Sequence, residues 1–385
     1  MNNSPPSQIK SIDSVFDIAD AVEAEVIYSD SGSEITRPFD PKKIDIQTKQ
    51  MILEAIFRRL RNKEIDMDTG FQRRSDLWDH TKQSRLIESI LIRFPLPAFY
   101  FDGTNDNRWL VVDGLQRLST FKNFVIQKTL NLQNLEYLNQ FNGSNFDALP
   151  RDLQRRIEEH EITVYIINPG TPAEVKYNIF RRINTGGLVL EPAEIRHALN
   201  QGIPADFTKR LADCPEFKEA TTHSIKTERM LDRDFVTRFL AFYLHQPSDY
   251  RGNLEEFLNA VMGELHQTGL EECNRIEQNF RGAMKAAKQI FGPNAFRKVY
   301  RPNEKRKPIN KALFEVWSVS LANLTDGERK ALMRRKRQVL TSFMKLLNTD
   351  ADFEKSISTG TGEKRNVTYR FKKVAELIKE IVDHD

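Results

Sequence analysis

Apolar side chains recur every three or four positions in two early segments of the chain. The first stripe consists of Met51, Ile52, Ala55, Ile56 and Leu60. This spacing puts the apolar side chains on one face of a helix, so it predicts a helix over residues 47–62. A second helix is predicted to begin after Asp79, a good N-cap residue, and to end before the prolines of residues 94–97.

Short strand-like and helix-like segments alternate in the next part of the chain. Runs of aromatic and β-branched residues predict strands at residues 98–101, 109–112 and 162–167. Helical spacing predicts helices at residues 151–159 and 173–183. Asn184-Thr185-Gly186-Gly187 is predicted to end the last of these, because Asn and Gly tolerate the left-handed backbone that closes helices.

Beyond Glu191 the pattern predicts helices only. Apolar stripes with helical spacing lie near residues 226–245, 269–290, 310–323, 327–348 and 368–382. The change of pattern predicts a domain boundary near residue 200. The predicted architecture is α+β, in which a small mixed sheet with helices over residues 45–200 is followed by an all-helical domain over residues 201–385.

Charge is distributed unevenly along the 385 residues. The whole chain has a formal net charge of +4, but residues 1–40 contain two basic and eight acidic side chains, a net charge of −6. The remaining 345 residues therefore carry +10. Residues 1–44 are predicted to be an acidic flexible leader, whose charge suits it to cover a basic surface.

Composition excludes several classes of protein. Every apolar stretch is broken by charge before the roughly 18 uncharged residues that a membrane helix needs, so no membrane partner is expected. The first residues lack the pattern of a secretory signal, and the expected location is cytoplasmic. Cys214 and Cys273 are not at metal-ligand spacing and are expected to be reduced and buried.

Two basic runs lie in the helical part of the chain. The first consists of Arg297, Lys298, Arg301, Lys305, Arg306 and Lys307, and the second of Arg329, Lys330, Arg334, Arg335, Lys336 and Arg337. Such runs can neutralise nucleic-acid phosphates, and they can equally be solvated helix faces. The first run is the candidate nucleic-acid contact, with DNA as the expected partner.

The most informative segment for chemistry is the transition that follows residues 109–112. Asp113 ends an apolar strand, Gly114 follows, and a helix begins with Arg117 in its first turn. Free N–H groups at that turn can bind a phosphate, Gly114 would allow close approach, and Arg117 could donate two hydrogen bonds. Alternatively, Asp113 and Gln116 are a helix-capping pair and Arg117 is a surface charge.

A carboxylate beside a phosphate requires a cation between them. Mg²⁺ is commonly held by one or two carboxylates together with nucleotide phosphates. Asp113 is therefore the candidate metal ligand, and the expected cofactor is Mg²⁺ with a nucleoside triphosphate whose base the sequence does not identify.

Three segments together resemble the signature set of one known family. The first is Phe71-Gln72-Arg73 with Trp78, and the second is the turn Asp113-Gly114-Leu115-Gln116-Arg117. The third consists of Phe180, Arg182, Ile183 and Asn184, followed by Gly186-Gly187. Their order and spacing resemble the N-terminal domain of the GmrSD-type restriction family, in the ParB/sulfiredoxin-like superfamily. The resemblance covers about residues 45–200. The helical remainder is similar to family members that lack a separate nuclease domain.

The resemblance implies a nucleotide-hydrolysing, DNA-associated domain that acts in restriction or anti-phage defence. It implies catalytic roles for Asp113, Gln116 and Arg117. It further implies nucleotide contacts at Gly114, Gln72, Arg73, Arg182 and Asn184. Trp78, Phe180 and Ile183 are assigned to packing. The family form of the central motif is Asp-Gly-Gln-Gln-Arg, and Leu115 replaces its first Gln, which bears on hydrolysis more than on binding.

Two other functions stay open on sequence grounds. One is a nucleotide-gated DNA-binding clamp or adaptor without hydrolysis, and the other is a stand-alone ParB-like DNA nuclease. No His-metal nuclease motif is recognisable, so a separate nuclease or defence subunit is a candidate partner, and a homo-oligomer stays open. The fragment Glu174-Val175-Lys176 is set aside as a nuclease site, because no strand aspartate is predicted beside it.

Overall fold

The computed structural model describes residues 22–23, 41–67, 78–183 and 190–383. The chain divides into two compact units. Residues 33–201 form one, called here the mixed unit, and residues 1–32 together with 202–385 form the other, called the helical unit.

The mixed unit is built on a five-stranded sheet with strand order β1-β5-β3-β4-β2. Its strands are β1 Ile46–Ile52, β2 Ile65–Asp66, β3 Phe99–Asp102, β4 Trp109–Asp113 and β5 Glu161–Ile167. Strand β3 pairs antiparallel with β4 and parallel with β5, while β1 pairs antiparallel with β5 and β2 parallel with β4. The sheet is therefore mixed, as the sequence predicts.

Six α-helices accompany this sheet in the part of the mixed unit that the structure describes. They are α1 Leu53–Arg61, α2 His80–Leu91, α3 Leu115–Phe121, α4 Arg151–Glu158, α5 Ala173–Ile183 and α6 Pro192–Leu199. Asp79 caps α2, accepting a hydrogen bond of 2.8 Å from the Lys82 amide, which confirms the predicted start of that helix.

Alternation along the strands separates two apolar clusters. On β5, Ile162, Val164 and Ile166 enter the larger cluster with Phe99 and Phe101 of β3. Val112 and Ile167 instead join a smaller cluster that contains Phe180 of α5. Since successive strand residues face opposite sides of a sheet, the sheet is covered on one side by the larger cluster and partly on the other by α5 and α6.

The predicted helix over residues 47–62 is wrong in its first half. Residues 46–52 form β1, which pairs with β5 along its whole length, and only Leu53–Arg61 is helical. The i, i+3, i+4 spacing of Met51, Ile52, Ala55 and Ile56 crosses the strand–helix junction. Backbone pairing to β5 outweighs this local pattern, because the edge of the sheet supplies hydrogen-bond partners for the segment.

The helical unit confirms the prediction of a mostly helical second part. Its α-helices are α7 Ile203–Asp213, α8 Pro215–Ala220, α9 Leu231–Leu244, α10 Leu254–Glu264, α11 Leu270–Phe291, α12 Lys311–Ala322, α13 Asp326–Arg334, α14 Lys336–Thr349, α15 Ala351–Ser358 and α16 Lys364–Val382. No helix among the described residues is long and apolar enough to cross a membrane. Cys214 and Cys273 are both free and buried, as predicted.

A network of ion pairs lies within the core of the helical unit. Glu315 of α12 accepts hydrogen bonds from Arg238 of α9 at 2.6 Å and from Arg370 of α16 at 2.5 Å. Arg238 also pairs with Asp234 at 3.0 Å. Glu315 and Arg370 are each 1% exposed. The network therefore connects three helices in the absence of solvent.

Part of the predicted acidic leader is attached to the helical unit. Val22 forms a parallel β-bridge with Ile309, and the Glu23 amide donates to the Ile309 carbonyl at 2.8 Å. The Glu23 carboxylate accepts from Lys298 at 2.7 Å and from Asn310 at 3.0 Å. At residues 22–23 the leader is thus ordered against the body, and residues 1–21 and 24–40 lie outside the described residues.

Candidate functional site

The predicted strand–glycine–helix transition is present at the end of β4. Asp113 is the last strand residue, Gly114 adopts the left-handed conformation with φ of 104°, and α3 begins at Leu115. A bulge in the pairing between β3 and β4 places Tyr100 opposite Asp113. The sequence pattern therefore predicts the course of the backbone here correctly.

Gly114 has a packing reason to be glycine. A Cβ atom at this position would lie 2.4 Å from Cδ1 of Phe99, in addition to the strain of a positive φ. The space beside Gly114 is thus occupied by the Phe99 ring of β3. The sequence pattern predicts an approaching phosphate in that space, and Phe99 gives no signal there beyond its place in an aromatic strand.

Arg117 is buried and is bonded within the protein. It is 8% exposed, and its guanidinium donates to the carbonyl of Pro97, to the Ala98 carbonyl at 3.2 Å and to Asp113 Oδ2 at 2.8 Å. Its Cζ lies 4.2 Å from the centroid of the Phe99 ring. Burial lowers the pKa of Arg117, and Asp113 opposes that shift. Arg117 is thus not the surface charge of the alternative interpretation, and it anchors α3 to the backbone that precedes β3.

Asp113 connects this anchor to the surface. Its side chain is 34% exposed, whereas that of Arg117 is 9% exposed. A carboxylate that accepts one hydrogen bond from Arg117 through Oδ2 can still offer an oxygen to a cation. No group of three or more acidic, His or Cys side chains among the described residues could hold a metal ion. A Mg²⁺ ion at Asp113 would accordingly take its other ligands from phosphates and water.

Gln116 contacts the segment that contains the first motif. Its Oε1 accepts a hydrogen bond of 3.3 Å from the Trp78 amide. The Trp78 carbonyl accepts from Gln83 Nε2 at 2.8 Å, and Gln83 Oε1 accepts from Asn123 at 3.1 Å. Two glutamines thus hold the Trp78 backbone from both sides, and the second motif is physically joined to the end of the first.

Trp78 and this amide network border a cavity of about 460 Å³. It is lined by Trp78, Asp79, His80, Gln83, Asn123, Gln127, Thr129 and Leu130. The volume falls within the range of about 300–1,000 Å³ that is usual for small-molecule sites. Sequence reasoning missed this cavity, since its lining comes from α2 and from residues 123–130, which no shared motif connects.

Leu115 belongs to the core. It is 6% exposed and packs in the larger apolar cluster of the mixed unit. The position at which the family motif has its first Gln therefore supplies apolar packing in this chain. No hydrogen-bonding side chain from residue 115 reaches a ligand.

The remaining predicted contacts of the mixed unit are only partly described. Arg182 is exposed near the end of α5, and Phe180 is fully buried, which fits its assignment to packing. Trp78 packs partly against the larger cluster, but it also lines the cavity. Gln72, Arg73 and Asn184 lie outside the described residues.

Lys176 has an aspartate partner that the sequence did not reveal. Its Nζ donates to both oxygens of Asp102, the last residue of β3, at 3.2 Å, and also to the hydroxyl of Thr104. Lys176 and Asp102 are each 8% exposed. The expectation that no strand aspartate lies beside Lys176 was wrong, and the pair joins α5 to the sheet.

The first basic run is partly internal. Arg297 is 1% exposed and donates to the carbonyl of Lys307 and to the hydroxyls of Thr222 at 2.9 Å and Ser224 at 2.8 Å. Lys298 pairs with Glu23. The expectation that these two cations face nucleic acid is corrected, because their charges are used inside the helical unit.

The other members of this run lie nearer the surface. Arg301 and Lys305 are exposed, and Arg306 and Lys307 are half-buried. Lys307 Nζ lies 4.0 Å from the centroid of the Tyr300 ring and 3.8 Å from Glu304. The run therefore offers fewer cations to a ligand than its sequence indicates.

Comparison with known proteins covers the mixed unit. Residues 53–200 match the family described as GmrSD restriction endonuclease, N-terminal domain. No curated protein and no solved structure matches the chain. The matched residues include β2 to β5, the turn at Gly114, and the cavity lined by Trp78. Over residues 53–200 the mixed unit is thus similar to the N-terminal domain of the GmrSD restriction endonucleases, which supports a restriction-related or defence-related, DNA-associated role for the protein.

Proposed function

We propose that the protein is the nucleotide-dependent, DNA-associated component of a restriction or anti-phage defence system. Its mixed unit binds a nucleoside triphosphate with Mg²⁺ at the turn Asp113–Arg117 and in the adjoining cavity. The observation that carries this proposal is the hydrogen bond from the Trp78 amide to Gln116, because it links the motif turn to a residue that lines the cavity.

The cavity has the chemistry of a site for a planar, polar heterocycle. Trp78 lines the cavity, and an indole is a side chain on which a base can stack, with a contribution of about 1–3 kcal/mol per base. The amides of Gln83 and Asn123 are held in place by their mutual hydrogen bond. Groups fixed in this way lose little entropy when a ligand binds, so they favour a defined orientation of the base.

The turn supplies the groups for the phosphates. Asp113 is the one acidic side chain of the turn, and Mg²⁺ held there would neutralise phosphate charge. Arg117 is a positioning residue in this scheme, because its donors hold Asp113 and the backbone of residues 97–98. Exposed Arg182, together with Gln72, Arg73 and Asn184, is proposed to provide the remaining phosphate contacts.

Calorimetric titration with the four nucleoside triphosphates in Mg²⁺ tests this proposal. Gln116→Ala removes the acceptor of the Trp78 amide and is expected to weaken nucleotide binding by about tenfold, the effect of one lost hydrogen bond. The matched control is Gln133→Ala, since Gln133 is an exposed glutamine of the same unit. Equal affinities of the two variants, or no binding of any nucleotide by the wild type, would reject the site.

One observation favours a second function, a nucleotide-gated DNA-binding clamp without hydrolysis. Leu115 is buried in the core, and the Arg117 donors bond to protein groups. Hydrolysis requires a positioned water and stabilisation of charge at the transferred phosphoryl group. Phosphate release measured with and without duplex DNA separates the two: turnover that Asp113→Asn abolishes supports the hydrolase, and tight binding without release supports the clamp.

A further inference from the structure

The second basic run has a distinctive composition. Residues 329–349 contain seven basic side chains and no acidic one. Two of the seven are used internally. Arg329 is 8% exposed and donates to the carbonyls of Leu321 and Ala322 at the end of α12, and Arg335 donates to the Ile381 carbonyl.

Four cations remain at the junction between α13 and α14. Lys330 and Arg334 lie on α13, Lys336 and Arg337 begin α14, and all four are exposed. None of the four forms an ion pair, side-chain hydrogen bond or ring contact in the part of the chain that the structure describes. We call these four residues the basic junction.

This arrangement is unfavourable in the free protein. Lys330 and Arg334 are spaced i, i+4 on one helix, where like charges destabilise by about 0.2–0.5 kcal/mol. Lys336 and Arg337 occupy the first turn of α14, where the positive end of the helix dipole repels cations by about 0.3–1 kcal/mol each. Asp326 lies four positions before Lys330 and attracts it, but this carboxylate is already paired with Arg329 at 2.6 Å. The repulsion within the basic junction is therefore only weakly compensated.

An ordinary solvated helix face in the same unit is organised differently. On α11, Glu272 pairs with Arg275 at 2.6 Å, and Glu277 pairs with Arg281 at 2.8 Å. Those helix-surface arginines have an acidic residue three or four positions away. In the basic junction Arg334, Lys336 and Arg337 have none at that spacing, and Lys330 has Asp326, which is paired with Arg329. The contrast indicates that the charges of the basic junction are arranged for an external anion rather than for solubility.

We infer that the basic junction binds the phosphate backbone of duplex DNA. Duplex DNA carries one negative charge for about every 1.7 Å of its axis, so it can match several adjacent cations at once. Arginine adds two-point hydrogen bonding to phosphate oxygens, and two of the four residues are arginines. This inference rests on the DNA-associated role and not on the nucleotide chemistry proposed for the mixed unit.

Salt-dependent binding of a short fluorescent duplex tests the inference. The test variant combines Lys330→Gln, Arg334→Gln, Lys336→Gln and Arg337→Gln in the full chain. The control variant removes the same charge from four exposed cations elsewhere in the helical unit, by Lys209→Gln, Arg251→Gln, Lys355→Gln and Lys364→Gln. Fluorescence anisotropy is measured between about 50 and 200 mM salt.

The test variant is expected to reduce the slope of log affinity against log salt by about 3 to 4, since each phosphate contact contributes about 0.9. The control variant keeps most of the slope. An equal loss of slope in the two variants would mean that the effect depends on net charge alone, and would overturn the assignment. Preference of the wild type for a single strand or for a polyglutamate chain over the duplex would overturn it as well.

Two further measurements separate this inference from other failures. The test variant is expected to unfold at the same temperature as the wild type or higher, because repulsion is removed, and a lower unfolding temperature would contradict the electrostatic argument. Its nucleotide affinity, measured by calorimetry, is expected to be unchanged. Loss of DNA binding with intact nucleotide binding therefore tests the basic junction alone.

Discussion

Each unit of the protein contains a buried arginine that is paired with a carboxylate, but the two carboxylates differ in their exposure to solvent. In the helical unit, Arg238 and Arg370 share Glu315, and the side chains of Arg370 and Glu315 are each 1% exposed. In the mixed unit, Arg117 is similarly buried, whereas its partner Asp113 is 34% exposed. The first pair is sealed from water and the second reaches the surface.

The difference shows how burial and function can be combined in one interaction. A sealed pair can contribute only to stability and to the uniqueness of packing, because no ligand can reach it. At the turn, Arg117 is held by the carbonyls of Pro97 and Ala98 and in turn holds Asp113. The interior thus fixes the orientation of a carboxylate that can still meet a ligand.

The sealed pair should give the largest effect on stability. Glu315→Ala leaves two buried guanidinium groups without their carboxylate, and removal of one partner of a buried pair typically costs about 3–5 kcal/mol. The free energy of unfolding of the helical unit is expected to fall by at least this amount. Urea denaturation followed by circular dichroism would measure the loss.

Glu272→Ala is the matched control for that experiment. Glu272 also pairs with an arginine, Arg275, at 2.6 Å, but on the surface of α11. Exposed pairs contribute about 0–1 kcal/mol, so this variant should unfold nearly as the wild type does. Similar costs for the two substitutions would remove the distinction between a sealed and a solvated pair.

Gly114→Ala should have the next largest effect, and it tests the packing around Arg117. The new Cβ would meet the Phe99 ring at 2.4 Å at a φ of 104°. Overpacking costs about 1–3 kcal/mol and the positive φ about 1–2 kcal/mol, so a loss of about 2–5 kcal/mol is expected. Urea denaturation followed by tryptophan fluorescence would report it.

Gly143→Ala separates the cost of the positive φ from the cost of the clash with Phe99. Gly143 has a φ of 88°, but no atom lies within 4 Å of the position where its Cβ would be. It should therefore show the backbone cost alone, about 1–2 kcal/mol. The double variant Gly114→Ala with Phe99→Leu should recover part of the loss, and full additivity of the two single changes would argue against contact with Phe99.

Asp113→Asn should change function more than stability. Asparagine keeps an oxygen that can accept from Arg117, so the expected loss of stability is below about 1.5 kcal/mol, the net value of one hydrogen bond. Mg²⁺-dependent nucleotide affinity should fall strongly, because the charged ligand is lost. Parallel calorimetry and urea denaturation would compare the two effects. A large loss of stability with unchanged nucleotide affinity would show that the Asp113–Arg117 pair serves stability alone, like the Glu315–Arg370 pair.

The sequence predicted the course of the backbone at the site better than its side-chain contacts. The order strand, glycine, helix follows from local rules, and so does the cap at Asp79. The burial of Arg117 does not, because its partners at residues 97 and 98 lie about 20 positions earlier in the chain. The strand β1 was missed for the same reason, since its partner β5 begins more than 100 residues later.

Basic runs show the same limit in the helical unit. Arg297 and Arg334 both lie in basic runs, yet one is 1% exposed and the other is on the surface. Arg297 is buried because Thr222 and Ser224, far away in sequence, supply acceptors for its guanidinium. Charge patterns predict candidates for ligand contact, and tertiary hydrogen bonds decide which of them remain available.

The smallest expected effect concerns a partly buried group whose burial is only partly offset by a neighbouring charge. His160 of the mixed unit has its Nε2 buried without a hydrogen-bond partner, and burial lowers the pKa of this imidazole more than the carboxylate of Glu161 raises it. A lowered pKa means that the folded state binds the proton less well than the unfolded state, so the contribution of His160 to stability is present above about pH 6.5 and is lost as pH falls through the folded pKa. His160→Phe should remove this dependence. The urea midpoint of the wild type should therefore fall relative to that of the variant between about pH 7.5 and pH 5.5. A constant difference between the two proteins over this range would show that His160 accepts its proton equally well in both states, so that its burial has no effect on its pKa.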